Sequence, residues 1–260
     1  MRIIRVSYGN MAFYAKLDGG MVTCLDKSKG ITAPIPIEQT TILAPVVPTK
    51  IICLAVNYRA HAEEMDLPIP EEPVIFFKPP SSVIRHMDTI ILPKAAQRVD
   101  YEAELALVVG RPCKNVEPED IGGYIFGYAC ANDVTARDLQ KKDGQYARSK
   151  GFDTFCPVGP WIETEVRDPA DLGVKSYLNG ELKQDGSTSD MIFDPFTALS
   201  FASKVMSLTP GDVLLTGTPP GIGPMSSGDK ITVEIEGVGQ LENSVEEEEL
   251  DEAETAGPVQ

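Results

Sequence analysis

Asp100-Tyr101-Glu102-Ala103-Glu104-Leu105-Ala106-Leu107-Val108-Val109 reads as a strand that is apolar on both faces and carries two glutamates at its mouth. Side chains alternate along a strand, so Glu102 and Glu104 face one way with Ala106 and Val108, while Leu105, Leu107 and Val109 face the other. Both faces therefore look buried. Two carboxylates at the mouth of such a strand repel each other and lose hydration, at a cost of several kcal/mol per ion unless something cationic compensates. A bound divalent ion is the simplest compensation. Taken alone, Glu-x-Glu fits an exposed edge strand equally well.

The surrounding sequence is of the same kind. Short apolar runs at 51–56, 74–77, 90–92, 102–109, 124–132, 176–178, 213–216 and 231–235 read as strands, whereas helical patterns occur only at 60–65, 135–141 and 195–206. With 22 glycines and 21 prolines, this pattern predicts a β-rich α+β fold, a mixed sandwich or roll instead of a doubly wound sheet. Residues 1–48, broken by Gly19-Gly20 and by Pro34, Pro36, Pro45 and Pro48, read as a small N-terminal lobe. The main domain spans 49–245, and 246–260 reads as an acidic, solvated tail.

The net charge of −16 disfavours nucleic acid and anionic membranes as partners, because both need a basic patch to meet their phosphates. Five widely spaced cysteines, Cys24, Cys53, Cys113, Cys130 and Cys156, show neither a disulfide framework nor zinc spacing. No run approaches the roughly 20 apolar residues needed to span a bilayer, and residues 1–5 lack an apolar signal core. A cytoplasmic protein is the simplest expectation.

A third carboxylate, Asp133, ends the apolar run 124–132. Three carboxylates plus water suit a hard cation, Mg²⁺ ahead of Mn²⁺ or Ca²⁺. If a helix follows Asp133 directly, Arg137 and Gln140 fall at i+4 and i+7 and share its face; a solvated helix face has the same spacing. Of the two histidines, His61 has Glu64 at i+3, which lets the carboxylate hold one ring nitrogen and raise the basicity of the other. An incidental surface pair has that spacing too. His86 has no such neighbour and reads as structural. Lys150 reads equally as a loop lysine. In Thr216-Gly217-Thr218-Pro219-Pro220-Gly221, the Thr218 hydroxyl and the backbone N–H groups could hold a substrate carboxylate, or the segment is a plain loop between strands.

These pieces, in this order, make residues from about 50 to 245 resemble the fumarylacetoacetate hydrolase family. The resemblance rests on Asn57-Tyr58 with His61 and Glu64, on Phe77-Lys78-Pro79, on the Glu102 strand, on the segment Asn132-Asp133 through Arg137 to Gln140, on Lys150-Gly151-Phe152-Asp153, on Gly211-Asp212 followed by Thr216-Gly217-Thr218-Pro219, and on Glu236-Gly237-Val238-Gly239. It implies a β-roll or mixed sandwich, usually a homodimer, with a divalent ion that is commonly Mg²⁺. By matching position, Glu102, Glu104 and Asp133 would hold the metal and Lys150 would lie beside it. Arg137 and Gln140 would contact substrate, and His61 with Glu64 would activate water. The reaction expected is carbon–carbon hydrolysis of an acylpyruvate-like 2-oxo acid, with isomerisation of an unsaturated 2-oxo diacid or decarboxylation of oxaloacetate as rivals. A non-catalytic metal- or ligand-binding β protein is the alternative from a different class.

Overall fold

The decisive strand is observed as Ala103–Val109 with every residue buried. It lies inside a sheet, antiparallel to Ile125–Asn132 on one side and to Val213–Leu215 on the other. The edge-strand alternative is thereby excluded. The structure, a computed structural model, describes residues 1–249.

The large sheet has 12 strands. From Ala103–Val109 it extends through Val213–Leu215 and Ile51–Ala55 to Val74–Lys78. In the other direction it extends through Ile125–Asn132 and Cys156–Glu163 to Arg2–Tyr8 and the remaining N-terminal strands. A second sheet of five strands runs Glu181–Ser187, Gly173–Leu178, Lys230–Ile235, Gly239–Glu247, Thr89–Leu92. The core lies where the two sheets meet: Leu105, Leu107 and Val109 pack with Val174, Val233, Ile235 and Leu241, closed by Leu199 and Ala202 of the helix Pro195–Val205. That helix begins as its sequence dictates, with Asp194 accepting from the backbone N–H groups of Phe196 and Thr197 and Pro195 in the first turn. On the opposite face, Ala106 and Val108 join Ala129, Ala131, Cys53 and Leu215. This cluster draws on strands of one sheet, which a rolled sheet allows. Together these features are a β-rich sandwich roll.

One expectation needs correction, and strand pairing adds detail at two domain boundaries. Residues 135–141 are not one helix: Thr135–Ala136 is extended and pairs with Val99 and Asp100, and the helix is Arg137–Asp143. Asp133 therefore shares no helix face with Arg137 and Gln140. Residues 1–48 have their own apolar cluster, including Ile4, Val6, Phe13 and Val22, but no sheet of their own, because Arg2 and Ile3 pair with Glu163 and Ile162 of the large sheet. The boundary drawn at 246 falls inside the strand Gly239–Glu247, where Glu246 and Glu247 run beside Ile91 and Leu92. Their side chains are exposed, so a solvated acidic face and a paired backbone coexist. The rest of the predicted tail, from 250 onward, lies outside the described residues. No helix among the described residues is long and apolar enough to cross a membrane.

Candidate active site

The antiparallel register explains why carboxylates from separate segments meet. Ala103 faces Asn132, so the start of one strand and the end of the other share one border of the sheet. Asp133 N–H donates to the Glu102 carbonyl (2.9 Å), and Glu102 N–H to the Asn132 side chain (2.9 Å). Glu102, Glu104 and Asp133 each offer an oxygen within 4.8 Å of the others, and none is more than 4% exposed.

Cations surround two of the three. Lys150, on the short helix Tyr146–Gly151, reaches Glu102 Oε2 (2.8 Å) and Asp133 Oδ2 (2.6 Å). Arg137 donates to the other oxygen of Glu102, to Asp100 Oδ2 (3.0 Å) and to Gln140 Oε1 (2.7 Å). Burial alone would raise the Glu102 carboxyl, but Lys150 and Arg137 outweigh it and hold it well below the usual range. Burial likewise opposes the Lys150 ammonium, yet Asp133 and Glu102 hold its pKa above the ordinary lysine value. Glu104 is different. It accepts one hydrogen bond, from Gly217 N–H to Oε2 (2.6 Å), and Oε1 has no protein partner among the described residues. Burial, then the charges of Asp133 and Glu102, push its pKa well above the carboxylate range. Glu104 is therefore a buried carboxylate that faces two others with a free oxygen and no cation bonded to it. An all-carboxylate donor set with that deficit fits a hard divalent cation.

The dyad lies across the same cavity, which has a volume of about 540 Å³ and an apolar wall that includes Leu54, Met65, Leu67 and Phe76. His61 Nδ1 is 2.9 Å from Glu64 Oε2 on the helix Arg59–Glu64. A carboxylate only accepts, so the neutral ring carries its proton on Nδ1, leaving Nε2 as its basic atom. Glu64 is fixed in turn by Gly221 N–H donating to Oε1 (2.9 Å). Of the nine residues predicted from sequence, His61, Glu102, Glu104, Arg137, Gln140, Lys150 and Thr218 line the cavity. Asp133 and Glu64 stand just behind, bonded to residues that do.

Thr218 lines the cavity, with its hydroxyl already engaged by the protein. Its hydroxyl donates to the Ala103 carbonyl (2.9 Å) and accepts from Gln184 Nε2 (2.8 Å), and the Gly217 N–H is taken by Glu104. The Thr218 hydroxyl and the Gly217 N–H thus support the strand that carries the glutamates, whereas the Thr218 N–H has no hydrogen-bond partner among the described residues. His86 is a structural residue, its Nδ1 accepting from Glu242 N–H (3.0 Å).

Sequence reasoning assigned no role to Lys78 or Asp100. Lys78 is 1% exposed and donates to Asp133 Oδ1 (2.6 Å) and the Val134 carbonyl (3.1 Å). The available signal was a charged residue closing the apolar strand Val74–Lys78, since lysine is almost never buried unpaired. Asp100, fully buried, holds Arg98 and Arg137.

Comparison with known proteins agrees with the fold. Residues 50–246 match the model of the fumarylacetoacetate (FAA) hydrolase C-terminal family. The mitochondrial oxaloacetate tautomerase of Xenopus laevis is 44% identical over 220 residues, covering 80% of this chain and 69% of that protein. The solved structure of 2-hydroxyhepta-2,4-diene-1,7-dioate isomerase from Mycobacterium marinum superimposes with a TM-score of 0.88 at 40% identity, covering 96% of this chain and all of that one. That of maleylpyruvate hydrolase from Sphingobium sp. SYK-6, in complex with manganese(II) and pyruvate, does so with a TM-score of 0.81 at 32% identity, again over 96% of this chain and all of the other. The motifs, the rolled sandwich and these matches lead to one conclusion: the chain belongs to the fumarylacetoacetate hydrolase family.

Proposed function

We propose that this chain is a divalent-metal-dependent enzyme, working with Mg²⁺ or Mn²⁺, that hydrolyses a carbon–carbon bond in an acylpyruvate-like 2,4-dioxo acid. The observation that carries the reading is that His61, Glu102 and Glu104 line one cavity, with Glu64 bonded to His61 and Asp133 completing the carboxylate cluster directly behind it. When bound by Glu102, Glu104 and Asp133, the cation supplies Lewis-acid polarisation of the 2-oxo acid's keto and carboxylate oxygens.

The chain's own residues do the rest. Lys150 and Arg137 bring positive charge to the cavity where the substrate head would lie. His61, held by Glu64, takes a proton from water at Nε2 as the oxygen adds to the 4-oxo carbonyl. The bond between carbons 3 and 4 then breaks with its electrons passing to carbon 3, which takes the proton back from His61. The products are a carboxylic acid and pyruvate, and atoms and charge balance.

A second reading is favoured by two of the similar proteins being an isomerase and an oxaloacetate tautomerase. There His61 moves a proton between carbon and oxygen with no water consumed. The deciding experiment assays acetylpyruvate, fumarylpyruvate, oxaloacetate and a 2-hydroxymuconate-type diacid with Mg²⁺ or Mn²⁺, and then with chelator. Products are followed so that hydrolysis, tautomerisation and decarboxylation are told apart. His61→Ala is expected to retain metal binding and lose turnover by about 10²–10⁴-fold. No turnover of any of the four with metal present would end the reading, and full hydrolysis by His61→Ala would remove the dyad from it.

A further inference from the structure

The turn after Val213–Leu215 touches the site with two backbone amides. Gly217 N–H donates to Glu104 Oε2 (2.6 Å) and Gly221 N–H to Glu64 Oε1 (2.9 Å). One partner is a metal-donor candidate and the other is the carboxylate that holds His61. Between them sits Thr218, 3% exposed. The Ala103 peptide, next to both glutamates, is secured at each end: its carbonyl accepts from the Thr218 hydroxyl (2.9 Å) and its N–H donates to Gln184 Oε1 (3.0 Å). Gln184, fully buried in the second sheet, also donates to the Thr218 hydroxyl (2.8 Å) and the Pro219 carbonyl (2.7 Å). The turn has little room to drift. Gly217 has φ +91° with a Cβ position 2.7 Å from Asn57 Cβ, and Gly221 has φ +99° with one 2.3 Å from the Lys183 carbonyl, so neither tolerates a side chain.

We propose that Thr218 is a positioning residue whose hydroxyl pins this turn, and that the turn sets metal donor and base in one fixed relation. The inference rests on the reading of the carboxylates as a metal site and of His61–Glu64 as the base. The role is the hydroxyl's and is separate from any substrate contact, which would fall to the Thr218 N–H, because the hydroxyl proton is already given to Ala103. It differs from packing, because the hydroxyl and not the methyl makes the connections.

Two substitutions separate these roles. Thr218→Val keeps the shape and removes the hydroxyl, whereas Thr218→Ser keeps the hydroxyl and removes the methyl. The measurements are the Mn²⁺ dissociation constant by calorimetry without substrate, and kcat and KM with whichever 2-oxo acid the wild-type chain turns over. Thr218→Val is expected to weaken Mn²⁺ binding and lower kcat by about tenfold each, with Thr218→Ser within about twofold of wild type in both, the scale typical of residues that orient metal ligands. A rise in KM alone with Mn²⁺ affinity unchanged, or Thr218→Ser impaired as much as Thr218→Val, would overturn the proposal. Should Thr218→Val not fold, Tyr101→Phe supplies the test by removing the hydroxyl that donates to the Gly221 carbonyl (3.1 Å). It is expected to lower kcat with Mn²⁺ affinity intact, and weakened Mn²⁺ binding or unchanged kcat there would count against the proposal. The Mn²⁺ readout needs no turnover, so a wild-type chain inactive on every 2-oxo acid defeats the functional reading while the turn's role is still decided.

Discussion

The strand Val213–Leu215 has a buried carboxylate near each end, and the fold treats the two in opposite ways. Before it, Asp212 accepts six hydrogen bonds, from the backbone N–H groups of Thr49, Lys50 and Thr209, the hydroxyls of Thr49 and Thr209, and the Lys50 ammonium. After it, Glu104 receives one, from Gly217. Burial opposes ionisation at Asp212, but Lys50 and Thr49 outweigh it and hold its pKa below the usual value, whereas Glu104 stands well above. The same strand shows that this chain can satisfy a buried acid completely. The shortfall at Glu104 is therefore what supports reading it as a ligand position, and the completeness at Asp212 marks a joint.

The comparison breaks most visibly if the two acids are exchanged for their amides. Glu104→Gln is expected to cost activity on the order of 10³-fold while raising the melting temperature of the metal-free chain, because a desolvated like-charge contact disappears. A metal-free variant that melts lower than wild type would contradict this. Asp212→Asn should do the reverse, lowering stability by roughly 3 kcal/mol with Mn²⁺ affinity unchanged. Denaturant unfolding and calorimetry read the two effects separately, and a large loss of metal affinity would erase the contrast.

A subtler effect is expected in the pH dependence of melting. Asp212, with its lowered folded pKa, contributes stability that is present above the unfolded value of about 3.9 and lost as pH falls through the folded one. Glu104, with its raised folded pKa, binds more protons folded than unfolded. Metal-free stability therefore falls as pH rises from about 4.3 towards the raised value. Mn²⁺ should flatten the Glu104 limb and leave the acid limb of Asp212 alone. Parallel melting profiles with metal and with chelator would show that Glu104 is not under the tension described.

The legibility of the molecule from its sequence follows the same division. The buried strand and its two glutamates were readable because alternation is a local rule, and the pair His61–Glu64 because helical spacing is another. Asp133 is legible as the end of an apolar run, but its meeting with the glutamates comes through the pairing of Ala103 with Asn132, a contact across the sheet, and the helix face expected to carry Asp133 with Arg137 and Gln140 does not form. Gln184 carried no local signal at all, since it acts from the second sheet through a polar side chain in an otherwise ordinary strand. The anchoring role of the Thr218 hydroxyl is not legible either, because a turn's sequence shows its donors but not what they bond. The strands Cys156–Glu163 and Gly239–Glu247 were not predicted, one being interrupted by Pro157, Gly159 and Pro160 and the other ending in an acidic run.

Lys78 gives the border of the large sheet a dependence on chemistry some distance away. Val74–Lys78 ends the main run of paired strands, bonded on one side to Ile51–Ala55, and it leaves Val74 and Phe77 about half exposed. Its last residue is anchored to Asp133. Without Asp133, Lys78 keeps only the Val134 carbonyl, and an apolar margin of the kind through which chains stick to one another is held less firmly. Substitutions at Asp133 are thus expected to lower solubility in a way that those at Glu104 are not.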